Sequence, residues 1–253
     1  MAEIRIQVAE EVDRYLESAV SMGLFTNKAE IARAAIVQYM STIMQMSKGY
    51  DSEVMFSPEG RVYQLEYARC ATSRGLTAIG IACKNGIVIA SETALASAPE
   101  NQEDTVALML PPEKVVRVGE SVLVGSSGLV MDGHIVIDAL RKAKFRTDAE
   151  LLSSIREAYK PYLYSRDVRP LGVGLITGSV LDGAHLYKVD PSGAIMEFHA
   201  TAIGRGSDDA TKILSTKYRP MSVEEGEGLA REILGERGVQ ILSMTSPKKG
   251  RKP

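Results

Sequence analysis

The chain opens on an alternation. Ile4, Ile6 and Val8 are apolar while Arg5 and Gln7 between them are polar, the period-two pattern of a short strand with one buried face. The period then lengthens. Val12, Tyr15, Leu16, Ala19 and Val20 recur at helical spacing, and Gly23 stands where a helix end favours a left-handed residue. Asn27 and Glu30 have capping-box spacing ahead of a second helix, whose apolar side holds Ile31, Ala35, Ile36, Tyr39, Met40, Ile43 and Met44. One strand and two helices leave an open strand edge and too little buried surface to close a core. The missing surface must come from another chain or another domain.

From Tyr50 on the rhythm changes. Ser57-Pro58-Glu59-Gly60 has Pro and Gly where a type I turn wants them, and a helix is predicted over 61–73. In "TAIGIACKNGIVIAS" two apolar runs flank Asn85-Gly86, which predicts a hairpin closed by a type I′ turn with positive φ at both residues. A second hairpin is predicted in "VVRVGESVLVGS", turning at Gly119-Glu120. Helices follow over 129–144 and 147–160, the latter opened by a Thr147/Glu150 capping box and ended or kinked by Pro161. Strands return in "LGVGLITGSV", "AHLYKV" and "AIMEFHA". Helices are then predicted from Ser207, read as a cap, and from Ser222, with Glu225 in capping-box position, before a last strand over 239–243. Hairpins, a helix pair, more hairpins and another helix pair predict an α+β fold, a four-layer αββα sandwich of two antiparallel sheets preceded by a small strand-helix-helix module. The domain boundary falls between residues 1–49 and 50–253.

Composition adds mainly exclusions. A net charge of −2 over 253 residues gives no general attraction to nucleic acid or anionic membrane, and no apolar run reaches the roughly 18 residues of a membrane span. The opening residues lack the layout of a secretory signal, so a cytoplasmic protein is expected. Cys70 and Cys83 cannot form a disulfide framework, and His134, His185 and His199 show no ligand-like spacing, so neither metal nor cofactor is expected. "GRGSD" at 204–208 lacks the layout of a phosphate-binding loop.

Residues 3–45, and "GLFTNKAEIARAAI" most of all, resemble the ribbon-helix-helix family. That resemblance implies a dimerising or DNA-binding module in which Arg5 and Gln7 face the major groove and Thr26, Asn27 and Lys28 approach phosphate. Charge argues against tight DNA binding. Residues 1–49 carry five basic residues (Arg5, Arg14, Lys28, Arg33, Lys48) against six acidic ones (Glu3, Glu10, Glu11, Asp13, Glu17, Glu30), and phosphate neutralisation supplies most of such affinity.

The remainder resembles the α-type subunits of the 20S proteasome, with an archaeal-like pattern. The ordered set is "YDSEVMFSPEGRVYQLEYA", "GLTAIGIACKNGIVIAS", "EKV", "GSSGLVMD", "RPLGVGLI" and "VDPSGAIMEFHATAIG". The resemblance implies the αββα fold of the Ntn-hydrolases and seven-membered rings that scaffold and gate entry to proteolytic β-type subunits. It also implies a gate of Tyr50, Asp51, Pro58 and Tyr67, and a pocket of Gly75, Lys114, Gly128 and Leu129 for the C-terminal carboxylate of a regulatory ATPase.

Active β-type members use a terminal Thr whose hydroxyl attacks and whose amine acts as base. Here Leu76 occupies that place, with Glu92 and Lys114 where the active members keep an acid and a lysine. Thr77, one residue on, lacks a freed amine, so no catalytic residue and a non-catalytic subunit are expected. The expected partners are copies of the chain, a β-type subunit and a regulatory ATPase. The alternative is a DNA-binding regulator that uses the α-type domain to oligomerise.

The chain departs from the family pattern in four places. It is one residue shorter between Tyr50 and Phe56, its 101–112 segment is longer, its 144–147 connection is short, and it ends in "SPKKGRKP". A twofold module fused to an odd-numbered ring also cannot pair all its copies within that ring.

Overall fold

The computed structural model describes residues 5–47, 56–93, 113–164, 168–235 and 238–246, with the side chains of 41–47 outside that description. The chain divides into two compact units, Met1–Arg61 and Val62–Pro253.

In the first unit the acidic residues Glu10, Glu11 and Asp13 open α1 (Glu10–Ser21), where they complement the helix dipole. Gly23 ends the helix as the sequence predicts. With φ +73 it donates to Val20 O at 3.0 Å, while Leu24 N reaches Ala19 O at 3.1 Å, the two bonds of a Schellman motif. Asn27 Oδ1 accepts Glu30 N at 2.9 Å and starts α2 (Lys28–Ser47). Glu30 returns its bond to Thr26 N at 2.8 Å, one residue earlier than a capping box requires. Lys28 ties the two helices together through Asp13 at 2.7 Å and Glu17 at 2.8 Å.

No residue of α1 is buried. Residues 5–9 join no ladder, which differs from the expected strand. A strand exists through its neighbour's hydrogen bonds, and this unit offers none among the described residues. Ile6, Val8, Leu16, Ala32 and Ile36 instead line an open groove of about 470 Å³. Later in this unit's sequence, the turn at Pro58 closes with Gly60 N on Ser57 O at 2.8 Å.

The second unit begins with α3 (Tyr63–Arg74) and continues into the hairpin β1 (Ala78–Cys83) and β2 (Gly86–Glu92). The hairpin forms one residue earlier than its sequence suggests. Cys83 pairs with Gly86 across Lys84 and Asn85, and neither Asn85 nor Gly86 has positive φ. Gly86 serves contact instead, since a Cβ there would lie 2.0 Å from Met244 O. Asn85 Oδ1 accepts Val223 N at 3.0 Å. The second hairpin, β3 (Val115–Val118) and β4 (Val122–Gly128), turns through Gly119 at φ +61.

Helices α4 (Val130–Lys142) and α5 (Asp148–Tyr164) follow. The α5 helix accommodates Pro161 and runs on to Tyr164. Thr147 Oγ1 accepts Glu150 N at 3.3 Å, but the Glu150 carboxylate turns to Arg146 N at 2.6 Å, leaving the predicted box half-formed.

Strands β5 (Val173–Ser179) and β6 (His185–Val189) match their apolar runs, whereas "AIMEFHA" divides. Its first part becomes β7 (Ile195–Glu197), on the edge of the sheet ordered β3-β4-β5-β6-β7. After Phe198 and His199 the chain crosses to β8 (Ala200–Ile203), on the edge of the sheet ordered β8-β1-β2-β9. Helix α6 (Ser207–Lys217) starts after an N-cap at Gly206, so Ser207 lies inside the helix and is not its cap. Before α7 (Val223–Leu234), Ser222 and Glu225 form the full capping box. Strand β9 (Val239–Thr245) then pairs along β2.

Period-two alternation builds three apolar layers from these strands. Ile79, Ile81, Val88 and Ala90 face α6 and α7, with Leu214, Leu229 and Ala230 packed on them. Ile87 and Ile89 point the other way and meet Leu123, Ile176 and Leu186 between the sheets. Val122, Val124, Val173 and Leu175 pack under α4 and α5 against Ile137, Leu140, Leu151, Ile155 and Tyr159. Tyr159 is fully buried, and its hydroxyl is satisfied by donating to Val173 O at 3.1 Å. The result is the predicted α+β arrangement of two antiparallel sheets between helices.

Candidate functional site

The first strand is delivered by α3 through the turn Gly75-Leu76-Thr77. At Gly75 a Cβ would lie 2.3 Å from Gly128 N and 2.4 Å from Ser127 Oγ, so only glycine lets the two segments touch. Ser127 Oγ bridges them, within hydrogen-bond distance of Leu76 O at 2.9 Å and Thr72 O at 3.1 Å. Gly75 O accepts Arg205 N at 2.9 Å, which joins the turn to the segment before α6.

Thr77 is buried, and its amide, carbonyl and hydroxyl oxygen are all bonded. Its amide donates to Glu92 Oε2 at 3.0 Å, its Oγ1 accepts Gly206 N at 3.2 Å, and its carbonyl accepts Glu92 N at 2.9 Å. Glu92 also faces Arg205 Nη2 at 3.4 Å. An amide nitrogen inside a continuous chain has no lone pair available for base chemistry, unlike a terminal amine.

Lys114 precedes β3 and is 6% exposed. Its main chain is pinned on both sides, with N donating to Gln240 Oε1 at 2.9 Å and O accepting Ser126 N at 3.0 Å. Burial pulls its pKa below the ordinary lysine value, and among the described residues no carboxylate pulls it back. Between that lowered pKa and 10.5 the unfolded chain binds a proton that the folded chain does not, so stability rises with pH across this interval. Below it the full desolvation cost remains. Lys114→Met is therefore expected to raise the Tm at neutral pH, by an amount that shrinks as thermal unfolding is repeated towards pH 10. A gain that is unchanged or larger at high pH would contradict this.

At the end of β4, Gly128 adopts φ +118, and a Cβ there would lie 2.1 Å from Gly172 O. The same carbonyl accepts Leu129 N at 2.9 Å. Leu129 is 46% exposed at the start of α4, so a surface apolar side chain stands beside two closely packed glycines. The geometry thus brings Gly75, Gly128 and Leu129 together, and Lys114 joins the same β4 strand two residues back, at Ser126.

Two residues of this region were not assigned from the sequence. Asp132, buried in the first turn of α4, takes both guanidinium nitrogens of Arg169 at 2.6 and 3.0 Å and Gly172 N at 2.7 Å. The bond to Asp132 raises the Arg169 pKa. Both lie in strings that are visible in the chain, "GSSGLVMD" and "RPLG", but nothing local reveals that they meet.

The other candidates are placed separately. Tyr50 and Asp51 lie outside the described residues. Pro58 belongs to the first unit and Tyr67, 48% exposed on α3, to the second. Arg5 and Gln7 are exposed, Thr26 and Asn27 are occupied at the start of α2, and Lys28 is held by Asp13 and Glu17. Among the described residues no group of three His, Cys, Asp or Glu side chains is placed to hold a metal ion. Among them, too, no helix is long and apolar enough to cross a membrane.

Comparison with known proteins places the chain in a family. The proteasome subunit family profile matches residues 72–241. Proteasome subunit alpha of Methanococcus vannielii is 39% identical over 199 residues, covering 74% of each chain. Its counterpart in Archaeoglobus fulgidus is 38% identical, covering 68% of this chain and 71% of its own, and that of Methanocaldococcus jannaschii is 37% identical over 74% of each. With the family profile spanning most of the second unit, and relatives at this identity over about three quarters of the whole chain, the chain belongs to the proteasome subunit family.

Proposed function

We propose that the chain is the non-catalytic α-type subunit of a cytoplasmic 20S proteasome core particle, forming rings that scaffold and gate entry to proteolytic β-type subunits. The observation that carries this reading is the continuity of α3 with the turn before β1. By the resemblance Leu76, which has no hydroxyl, stands at the nucleophile position, and the neighbouring Thr77 donates its amide to Glu92 and accepts Gly206 N at its hydroxyl oxygen. A threonine protease needs amine and hydroxyl on one terminal residue. In particles assembled with a β-type partner, Thr77→Ala is expected to leave peptide hydrolysis unchanged. Loss of most of the activity would overturn the non-catalytic assignment.

Gly75, Lys114, Gly128 and Leu129 would then take the C-terminal carboxylate of a regulatory ATPase. What supports this is a buried lysine whose pKa is lowered by burial, together with glycines packed at backbone contact beside an exposed leucine. Tyr50, Asp51, Pro58 and Tyr67 would form the gate.

Residues 1–49 would form a separate module that pairs with a second copy and stands in place of a gating peptide, so that each subunit carries a folded obstacle at the ring entrance. Its support is the open groove beside residues 5–9 and the absence of buried residues in α1. DNA binding is the weaker role for this module, because Lys28, its expected phosphate contact, is neutralised within the module by Asp13 and Glu17.

A further inference from the structure

The geometry points to Asp132 and Arg169 as a positioning pair for the carboxylate pocket, one that fixes the pocket wall at Gly172 and cancels a negative charge at its rim. This inference rests on the proposal that Gly75, Lys114, Gly128 and Leu129 bind a peptide carboxylate.

The wall is a chain of short contacts. Arg169 binds Asp132 through two nitrogens, and its Nη1 also reaches Pro170 O at 2.9 Å, which fixes the segment leading into β5. The same Asp132 carboxylate receives Gly172 N at 2.7 Å, and Gly172 O in turn receives Leu129 N at 2.9 Å. Gly128 rests on that carbonyl so closely that no Cβ fits. Loosening the pair therefore releases the surface against which Gly128 and Leu129 are set, without removing a residue that meets the ligand.

The charge effect is separate. Asp132 lies in the first turn of α4, three residues after Leu129, and its side chain is 5% exposed. A carboxylate this close repels a second one, and partial burial leaves little water to screen it. Arg169 cancels that repulsion, and its side chain is 55% exposed, so it can be changed with little loss of packing. Without Arg169, Asp132 would stand as a stranded negative charge beside a site that has to accept another.

The test measures binding of a fluorescent peptide ending in Leu-Tyr-Ala, with a free carboxylate or as the C-terminal amide, to assembled rings. The wild type is compared with Lys114→Ala, Arg169→Gln and the double variant Asp132→Asn/Arg169→Gln, with thermal unfolding as a folding check. Arg169→Gln is expected to weaken the free-carboxylate peptide about tenfold and the amide about threefold, the shared loss coming from the wall and the difference from the charge. The double variant, which keeps an acceptor for Gly172 N but no charge, is expected to remove that difference and leave about the same threefold loss for both peptides. A purely structural role would make Arg169→Gln weaken both peptides equally and give no recovery in the double variant, and either of those results overturns the inference.

Should Arg169→Gln rings not assemble, Arg169→Lys serves in its place. Its cation remains but its two-pronged contact does not, and a loss of about threefold is expected, with no loss counting against the inference. If Lys114→Ala abolishes binding while Arg169→Gln preserves it, the pocket stands and the inference falls. If the wild type fails to bind the peptide, or Lys114→Ala binds as well as wild type, the pocket proposal falls and the inference falls with it.

Discussion

Gly128→Ala is expected to destabilise the second unit by about 3 kcal/mol or more and to lower its Tm by roughly 10 °C. Two effects add at this position. The backbone holds φ +118, where an L side chain is strained by about 1–3 kcal/mol, and the new Cβ would lie 2.1 Å from a backbone oxygen that cannot turn aside. Gly119→Ala separates the two effects. Gly119 has φ +61 but open space around its Cβ position, so it should show the strain without the clash and lose only about 1 kcal/mol. Thermal unfolding of both variants at one pH is sufficient. Equal losses would mean that the close approach of Gly128 to Gly172 is not what the fold requires. Because Gly128 also belongs to the proposed carboxylate pocket, the variant should lose peptide binding even where it remains folded.

Leu123→Ala should cost about 3 kcal/mol, within a range of roughly 2–5 set by how far its surroundings collapse. Leu123 is 0% exposed and sits between the two sheets with Ile87, Ile89 and Ile176, where neither sheet can shift without breaking its ladder. Leu129→Ala is the control. At 46% exposure it should change stability by less than about 1 kcal/mol in denaturant unfolding, yet weaken a peptide bound at the proposed pocket. If Leu123→Ala proves as mild as Leu129→Ala, the inter-sheet layer is not the core that holds the sandwich together.

The fold was readable in the chain because alternation and helical spacing report directly on which side of an element is buried. Ile79 and Ile81 against Ile87 and Ile89 divide between two layers as a period of two demands. Turn chemistry was less reliable where tertiary contact competes with it. Asn85-Gly86 looks like a type I′ turn, but β9 pairs beside β2 as far as Gly86 and Val223 N claims the Asn85 side chain, so the turn closes one residue earlier. "AIMEFHA" reads as one strand because alternation does not mark where a chain leaves one sheet for another. Residues 4–8 read as a strand because their pattern is one, yet the ladder that would make them so needs a second strand.

The candidate site divides in the same way. Glycines and an isolated lysine are visible as residue types, and their proximity follows from β4 lying beside α3. Asp132 and Arg169 stand 37 residues apart with ordinary neighbours, and only the folded chain shows that they share a carboxylate with Gly172 N.

A chain of this kind is proposed to build a ring that admits substrates to another subunit's active sites. The most direct test is electron microscopy of the chain co-expressed with a β-type partner, combined with peptide hydrolysis by the purified particle. Stacked rings containing both chains, with hydrolysis that requires the β-type subunit and survives Thr77→Ala, are the expected result. Free monomers or dimers with no mixed particle, or hydrolysis by this chain alone, would contradict it.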